Sequence, residues 1–231
     1  MLVADGLNWL KVTFITSEAK VCCSICGYQG AFLYHHYGDR SYSLNSSCPQ
    51  CNSRSRHRGL FFLYQDLLLL LSKESKILHF APEPIFYSLL RDNSTMHYRT
   101  ADYFLSDVDY KVDIQKIDIE SNMFDLVLCN HVIEHVPDDD KAFSELSRIL
   151  KPKGCAVITI PGDYRRRDTI YFNHLRFNGH YRDYGLDVVR KLEKYFDKVE
   201  VIDLNELYNS NNANGLTHGI KKFEYAFVCH K

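Results

Sequence analysis

The chain has 231 residues and a formal net charge of −1 at pH 7, and this length fits one α/β domain with a small additional module. Hydrophobic residues make up 45% and aromatic residues 13% of the sequence, which provides for a core and excludes a disordered chain. A net charge near zero disfavours general nucleic-acid binding, so we expect no nucleic-acid partner.

The start of the chain and its most apolar run bear on location. The sequence begins without a basic segment followed by an apolar stretch, so we expect a cytoplasmic protein. The run Leu60–Leu71 is too short to span a bilayer and is interrupted by Gln65 and Asp66. We therefore predict a buried helix at this run and no membrane partner.

Two cysteine pairs in the N-terminal part have the spacing of zinc knuckles, Cys23-x-x-Cys26 and Cys48-x-x-Cys51. Four thiolates can surround one zinc ion tetrahedrally and leave no open position, so the predicted zinc is structural. The alternative, a reduced or redox-active pair, is disfavoured because the spacing occurs twice. We assign residues 1–58 to this zinc-binding module.

Basic residues follow the second cysteine pair closely: Arg54, Arg56, His57 and Arg58. Two interpretations stay open, contact with an anionic substrate or a solvated polar face.

From residue 59 onward, apolar strands alternate with helices. The predicted strands are Lys76–Phe80, His97–Ala101, Lys111–Ile114, Phe124–Cys129, Cys155–Ile160, Val199–Leu204 and Phe223–Cys229. The predicted helices are one through Leu90 and Arg91, Asp139–Leu150, which the turn Lys151–Gly154 ends, and Leu186–Phe196. Near-continuous apolar strands in this alternation predict an α/β fold with a doubly wound, mainly parallel sheet.

The stretch from Asp113 to Pro161 carries motifs in a fixed order. Phe124-Asp125 opens a buried strand, Ile133-Glu134-His135-Val136-Pro137 follows it, and Leu150-Lys151-Pro152-Lys153-Gly154 comes after a helix. This order resembles the class I S-adenosylmethionine-dependent methyltransferase family. The resemblance implies a seven-stranded Rossmann-like sheet, a methyltransferase domain over residues 59–231, and an acceptor-pocket insertion around 162–185.

The whole chain is also similar to a narrower group of bacterial zinc-ribbon methyltransferases of the small-molecule, type 11-like branch. The shared segments are the cysteine knuckles, Arg56-His57-Arg58, Leu78–Glu83 and His180–Gly185. This similarity implies a small N-terminal zinc ribbon and O-methylation of a small molecule, such as a surface-polysaccharide or nucleotide-sugar precursor. An RNA methyltransferase and a non-catalytic binding protein with this fold are the alternatives.

The family resemblance implies S-adenosylmethionine as cofactor and assigns residues to it. Asp102 would accept from the ribose hydroxyls, Asp113 from the adenine amine, and Ile114 would pack on the adenine ring. The full implied set is His79, Phe80, Ala81, Pro82, Glu83, Asp102, Tyr103, Asp113, Ile114, Asn130 and His131. The sequence departs from the family in one respect, because Ala81 stands where a glycine-rich loop is usual and no G-x-G is present.

Histidines are the candidates for removing a proton from an acceptor hydroxyl. We favour His131 or His180 as the general base, with His135 and His174 as the other candidates. The segment His131-x-x-Glu134-His135 is similar to a motif with which some quinone-pathway members hold a divalent ion, and this similarity implies a second metal site at His131, Glu134 and His135. Similar segments also occur in members without a metal, so both readings stay open.

Positive charge in the insertion indicates an acidic or phosphorylated acceptor. The predicted acceptor-binding residues are Arg165, Arg166, Arg182 and Tyr184. A solvated basic loop is the alternative.

Overall fold

The chain divides into two compact units. One comprises Met1–Leu69 with Asp203–Glu224, and the other Leu70–Ile202 with Tyr225–Lys231. The structure is a computed structural model that describes residues 21–36, 42–91, 96–173, 175, 179–209, 220 and 224–231. Within these ranges, none of the helices has the length and apolarity needed to cross a bilayer. The domain boundary expected at residue 58 stays a prediction.

The described strands are β1 (Leu33–His36), β2 (Tyr42–Ser47), β3 (Lys76–Phe80), β4 (His97–Asp102), β5 (Tyr110–Lys111), β6 (Phe124–Asn130), β7 (Leu150–Thr159), β8 (Ile170–Tyr171), β9 (Arg182–Asp183), β10 (Lys198–Asp203) and β11 (Tyr225–His230). The α-helices are α1 (Ser55–Leu70), α2 (Tyr87–Arg91), α3 (Asp139–Ile149), α4 (Val188–Leu192) and α5 (Leu204–Asn209). Short 3-10 helices span Pro84–Phe86 and Ile133–His135.

Seven strands form the central sheet in the order β10-β11-β7-β6-β3-β4-β5. Strands β7, β6, β3, β4 and β5 run parallel to one another, while β11 is antiparallel to β7. The predicted mainly parallel seven-stranded α/β sheet is therefore confirmed. The chain adds strands on one side of β3 and then on the other, so β3 and β6 flank the switch point where such sheets bind ligands.

Helix α3 is the clearest case of sequence periodicity fixing a packed element. Ala142, Phe143, Leu146 and Ile149 recur at helical spacing and are fully buried. Asp138 caps the helix, because its Oδ1 accepts from the N–H of Lys141 at 3.1 Å. The predicted helix Asp139–Leu150 is thus confirmed, one residue shorter at its end.

The leucine-rich run forms α1, but burial covers only part of it. Leu60 is fully buried and Leu63 nearly so, whereas Leu69 is 84% and Leu70 81% exposed. A helix turns consecutive leucines to all sides, so packing on one face leaves others uncovered. The prediction of a helix is confirmed, and the prediction that all of it is buried is wrong.

Strand β5 is shorter than the predicted Lys111–Ile114. The chain leaves the sheet at Asp113, whose side-chain Oδ1 accepts from the N–H of Gln115 at 2.8 Å. The carbonyl of Asp113 also accepts from the N–H of Lys116 at 2.9 Å. This local turn competes with the strand and ends it.

Lys151–Gly154 does not separate a helix from a strand as predicted, because β7 already begins at Leu150. The last residue of the chain pairs with this stretch, in which Lys153 has a left-handed φ of 68°. The N–H of Lys153 donates to the carbonyl of Lys231 at 2.7 Å, and the N–H of Lys231 donates to the carbonyl of Gly154 at 3.0 Å. Helix α4 is also shorter than predicted, since it ends at Leu192 rather than Phe196.

Candidate active site

A cavity of about 600 Å³ opens at the carboxyl ends of β3, β4 and β6. Its size lies within the range of small-molecule sites. Lining residues that the sequence had assigned to the cofactor are Phe80, Ala81, Asp102, Tyr103, Asp113, Ile114 and His131. The other lining residues are Phe104, Val112, Gln115, Val132, His135, Val136, Pro137 and Tyr181.

Two residues enter the cavity on strained backbone. Ala81 follows β3 with a φ of 46°, and His131 follows β6 with a φ of 53°. This left-handed region costs a non-glycine residue of the order of 1–2 kcal/mol. Hydrogen bonds hold both residues, since the N–H of Ala81 donates to Ala101 O at 2.9 Å and that of His131 donates to Thr159 O at 2.8 Å. Ala81 therefore adopts a glycine-like backbone without being glycine.

Asp102 ends β4 at the cavity and organises the loop that follows. Its Oδ1 accepts from the N–H of Phe104 at 2.6 Å and from the N–H of Leu105 at 2.7 Å. These bonds use Oδ1 alone. The carboxylate thus fixes the exposed aromatic pair Tyr103 and Phe104, whose rings meet edge to face with centroids 4.9 Å apart.

Asp113 and Gln115 form a second polar wall. Gln115 donates through Nε2 to Asp113 Oδ1 at 3.1 Å, and its Oε1 accepts from the N–H of Asp138 at 3.1 Å. Beside them Ile114 is 4% exposed and presents an apolar surface to the cavity. The sequence analysis did not predict Gln115 as a site residue. Its position directly after Asp113 and Ile114, which were predicted, could have indicated it.

Other residues expected at the cofactor lie behind the cavity wall. Asn130 donates through Nδ2 to Glu83 Oε2 at 3.1 Å and accepts at Oδ1 from Thr159 Oγ1 at 3.1 Å. This chain ties the loop after β3 to β6 and β7. The side chain of His79 is fully buried and pairs with the hydroxyl of Tyr98 at 3.0 Å. Pro82 is likewise not part of the lining.

A buried carboxylate lies among histidines at the end of β6. Glu134 is 0% exposed, and neither of its carboxylate oxygens has a hydrogen-bond partner within the described ranges. Nδ1 of His131 lies 3.3 Å and Nε2 of His135 lies 3.7 Å from Glu134 Oε1. The donor atoms of Glu134, His135 and His180 all lie within 4.8 Å of one another. His174, another candidate base, lies outside the described residues.

The surroundings of His135 and His180 affect the protonation of their rings. Nδ1 of His135 is 3.3 Å from the carbonyl oxygen of Gly179, which can only accept, so we assign the hydrogen to Nδ1. The lone pair of Nε2 then faces the Glu134 carboxylate, an arrangement that requires a proton or a cation between them. Burial lowers the pKa of His180, and the neighbouring His135 and His131 add to this against the opposing charge of Glu134.

Residues 90–158 match the family model described as methyltransferase domain. This segment contains Asp102, Asp113, His131, Glu134 and His135, and it lies within the seven-stranded sheet. This part of the chain is therefore similar to methyltransferase domains.

Curated relatives match parts of this chain. One is phosphoethanolamine N-methyltransferase 2 of Caenorhabditis elegans, 40% identical over 58 residues, which are 25% of this chain and 13% of the relative. An uncharacterised protein of Methanocaldococcus jannaschii is 35% identical over 80 residues, which are 32% of this chain and 35% of that protein. The chain thus spans about an eighth and about a third of the lengths of these relatives.

Solved structures share the fold of a large part of this chain. A SAM-dependent methyltransferase from Archaeoglobus fulgidus matches with a TM-score of 0.52 and 11% identity, over 78% of this chain and 95% of that one. The 1,6-didemethyltoxoflavin-N1-methyltransferase of Burkholderia thailandensis, solved with S-adenosylhomocysteine, matches with a TM-score of 0.51 and 13% identity, over 77% of this chain and 78% of that one. At such identities the likeness shows the fold alone.

Two arginines of the insertion predicted around 162–185 form ion pairs with carboxylates. Arg165 is exposed and donates through Nε to Asp163 Oδ1 at 2.8 Å. Arg166 Nη2 lies 2.8 Å from Asp183 Oδ2. Both lie outside the cavity lining.

Arg182 and Tyr184 belong to a buried network instead of the cavity surface. Both contact Asp139 Oδ2, Arg182 through Nη1 at 3.2 Å and Tyr184 through its hydroxyl at 2.8 Å. Arg182 also donates through Nη2 to the carbonyl of Pro137 at 2.6 Å. The network fastens β9 to the start of α3, next to Tyr181 in the cavity wall. These residues position the insertion in the structure and are 2% and 0% exposed.

In the N-terminal unit the four cysteines converge. Their sulfur atoms all lie within 4.8 Å of one another, with Cys23 and Cys51 3.6 Å apart and Cys26 and Cys48 also 3.6 Å apart. Tetrahedral zinc with Zn–S bonds of about 2.3 Å needs sulfurs about 3.8 Å apart. The residues present therefore fit a zinc ion.

Each of the two cysteine knuckles contains the same type of backbone turn. In the first, the N–H of Gly27 donates to Cys23 O at 2.9 Å, and in the second the N–H of Asn52 donates to Cys48 O at 2.9 Å. Gly27 and Asn52 have left-handed φ values of 75° and 58°. A turn of this shape brings both sulfurs of a pair to the same side.

Proposed function

We propose that the chain transfers a methyl group from S-adenosylmethionine to a small-molecule acceptor. The observation that carries the proposal is the cavity at the switch point, lined by Asp102, Asp113 and His131 within the segment that matches the methyltransferase family model. The cofactor would supply an electrophilic methyl group on sulfonium. The whole chain's activity, acceptor and partners are parts of this proposal.

The cavity residues suit the proposed cofactor in their chemistry. Asp102 would accept hydrogen bonds from ribose hydroxyls, while Asp113 and Ile114 would receive the adenine amine and ring. Ala81 has a left-handed backbone and only a methyl side chain. Both features support close approach of the methionine part of S-adenosylmethionine to the main chain at this position. These roles make a coherent site without a glycine-rich loop.

For a hydroxyl acceptor, we propose that His131 is the general base. Its ring reaches the cavity with 30% of the side chain exposed, and its Nδ1 lies 3.3 Å from the Glu134 carboxylate. That carboxylate would orient the ring and stabilise the imidazolium that forms when Nε2 takes the acceptor proton. His180 is the second candidate for a protein without metal at this histidine, since burial lowers the pKa of its ring and so favours the form that can accept a proton.

The acceptor that we propose is a hydroxyl-bearing small molecule such as a sugar precursor, in a cytoplasmic setting without membrane or nucleic-acid partners. This choice rests on the sequence similarity to the zinc-ribbon group. The described cavity lining contains no arginine or lysine, so an anionic group on the acceptor would need a cation from outside that lining. A nitrogen acceptor is the alternative that the local identity to a phosphoethanolamine N-methyltransferase favours.

We also propose a divalent metal at Glu134 and its histidines. The support is the unbonded Glu134 carboxylate and the convergence of His135 and His180, with His131 3.3 Å away. A carboxylate with imidazoles suits zinc or another first-row transition ion. The Gly179 carbonyl at His135 Nδ1 is the type of outer contact that orients a ligating imidazole.

Cobalt titration tests this metal site. We expect the zinc-loaded protein to bind Co²⁺ without sulfur-to-metal charge-transfer absorption. We expect Glu134→Gln to weaken this binding by more than the roughly 10–100-fold that the loss of an outer contact costs, because it removes a direct ligand. Glu120→Gln, an exposed carboxylate elsewhere, is the control. Equal binding by both variants, or no binding by the wild type, would refute the site.

Titration calorimetry with S-adenosylmethionine tests the methyltransferase proposal. We expect micromolar binding by the wild type, and a loss of about tenfold or more in Asp102→Asn, because an amide keeps an acceptor oxygen for the loop but loses the charge. Asp102→Ala removes both functions and should bind more weakly still.

Asp118→Asn, at an exposed aspartate outside the cavity, serves as the matched control and should bind like the wild type. Absence of binding by the natural protein would refute the enzyme proposal and favour a binding protein that keeps only the fold. Strongly salt-dependent RNA binding would instead favour an RNA methyltransferase.

A further inference from the structure

An arginine is buried beside the four-cysteine cluster. Arg58 is 0% exposed; its Nη1 donates to the carbonyl of Ser53 at 2.6 Å and its Nη2 to the carbonyl of Ser46 at 3.0 Å. The guanidinium carbon lies 4.4 Å from the centre of the Phe32 ring. Neither sequence interpretation of this basic segment, a substrate contact or a solvated face, fits the position of Arg58.

A serine connects this guanidinium to the sulfur atoms. Ser53 Oγ lies 3.4 Å from Arg58 Nη1, and 3.2 Å from the Sγ atoms of both Cys23 and Cys51. Thiolates can only accept, so the hydroxyl donates to one sulfur while its oxygen accepts from the guanidinium. Ser53 is also fully buried, so the contact is shielded from water.

Charge explains why the arginine lies there. Four thiolates around one divalent zinc ion carry a net double negative charge, and burying it is unfavourable without a nearby cation. A buried guanidinium alone is equally unfavourable. Burial lowers the pKa of Arg58 to about 10, and the electrostatic attraction of Cys23, Cys48 and Cys51 opposes this lowering. Each buried charge therefore offsets the other.

We propose that Arg58, acting through Ser53, is a positioning residue that determines how firmly the cysteine cluster retains zinc. Its positive charge balances the metal–thiolate centre, and its hydrogen bonds fix the second knuckle around Ser53. This inference rests on the proposed zinc centre and is independent of the proposed methyl transfer.

The test measures zinc in the full-length protein. Zinc content is determined by elemental analysis, and zinc affinity by competition with a chromophoric chelator, for the wild type and for Arg58→Met, Arg58→Lys and Ser53→Ala. We expect Arg58→Met to lower zinc affinity by about 10–100-fold, the usual effect of losing an outer contact to a metal site. Arg58→Lys should fall between, because it keeps the charge but not the paired geometry.

Ser53→Ala distinguishes the hydroxyl contact between Arg58 and the sulfur atoms from the packing of the Arg58 side chain. It removes the hydroxyl but leaves the Ser53 and Ser46 carbonyls that bind the guanidinium, so it decides the question even if Arg58→Met fails to fold. We expect weaker zinc retention and shifted sulfur-to-metal charge-transfer bands in its cobalt-substituted form. The hydroxyl lies against the sulfurs itself, so the part of the arginine is measured from the same bands in cobalt-substituted Arg58→Lys, which keeps Ser53; a merely structural arginine would not move them there.

Arg190→Met, at an exposed arginine of α4, is the matched control. A wild type that binds no zinc would overturn the zinc centre itself. A zinc-containing wild type whose affinity is matched by both Arg58→Met and Ser53→Ala would overturn the role of Arg58 alone.

Discussion

Complete burial determines how His79 responds to pH. Its ring packs near Phe86 and its Nδ1 lies 3.0 Å from the Tyr98 hydroxyl. Burial lowers the pKa of His79 to about 4, with the charge of Glu83 opposing only part of this effect. The unfolded chain, with an imidazole pKa near 6.5, therefore binds more protons than the folded protein below that pH.

This difference predicts acid sensitivity. Stability from neutral His79 is fully present above about pH 6.5 and falls as the pH decreases toward 4, by on the order of 3 kcal/mol. The double substitution His79→Leu with Tyr98→Phe removes the titrating group and its hydroxyl partner together. Urea unfolding between pH 7 and 4.5 should show a flatter pH dependence for this variant than for the wild type.

His97→Gln is the control for the acid effect, because the side chain of His97 is 56% exposed and its partner Glu74 is 89% exposed. Its pH dependence should match that of the wild type. An unchanged slope in the double variant would contradict the assignment to His79.

At single residues, the sequence predicted part of the cavity lining but not the contacts of every assigned residue. Asp102, Asp113 and His131 follow strand ends in the motif order, and all three reach the cavity. His79 on β3 and Asn130 on β6 are buried instead. A strand that is buried on both faces shows no alternation in its sequence that would distinguish its two sides. Motif position alone cannot resolve that choice.

At the scale of elements, the sequence predicted the strands whose apolar runs are continuous and missed those made by distant partners. Strands β3, β4 and β6 agree with the predicted ranges within one residue. Strands β8 and β9 are two residues each and pair through Ile170 with Asp183, a polar pattern without strand periodicity. The start of β7 depends on Lys231, which no local pattern indicates.

In the insertion, too, the contacts that the sequence did not predict are made by residues far apart in the chain. Arginines near a pocket indicated an anion site, but the structure joins Arg182 and Tyr184 to Asp139, more than forty residues away in the chain. Lys191 lies in contact with the same carboxylate. Only the folded topology brings these charges together, so sequence could predict their charge but not their partner.

For the whole molecule, the proposed zinc centre and the proposed cofactor site belong to different units. All four cysteines belong to the unit with Met1–Leu69, whereas every residue of the cavity lining belongs to the unit with Leu70–Ile202. A small module of this kind has little core of its own: the buried cluster consists of Val21, Cys23, Phe32 and Cys48. Its folding should therefore depend on the metal far more than that of the sheet.

Removal of zinc by a strong chelator should accordingly act on one unit. We expect proteolysis to cleave the chelated protein within residues 21–58, because structural zinc supplies roughly 10 kcal/mol or more of folding free energy in small zinc modules. We expect the affinity for S-adenosylmethionine to stay within about twofold, since every residue that lines the cavity belongs to the other unit and a tenfold change would need about 1.4 kcal/mol. Re-addition of zinc should restore protection. Loss of cofactor binding together with the zinc would contradict this separation and make the cysteine module part of the active site.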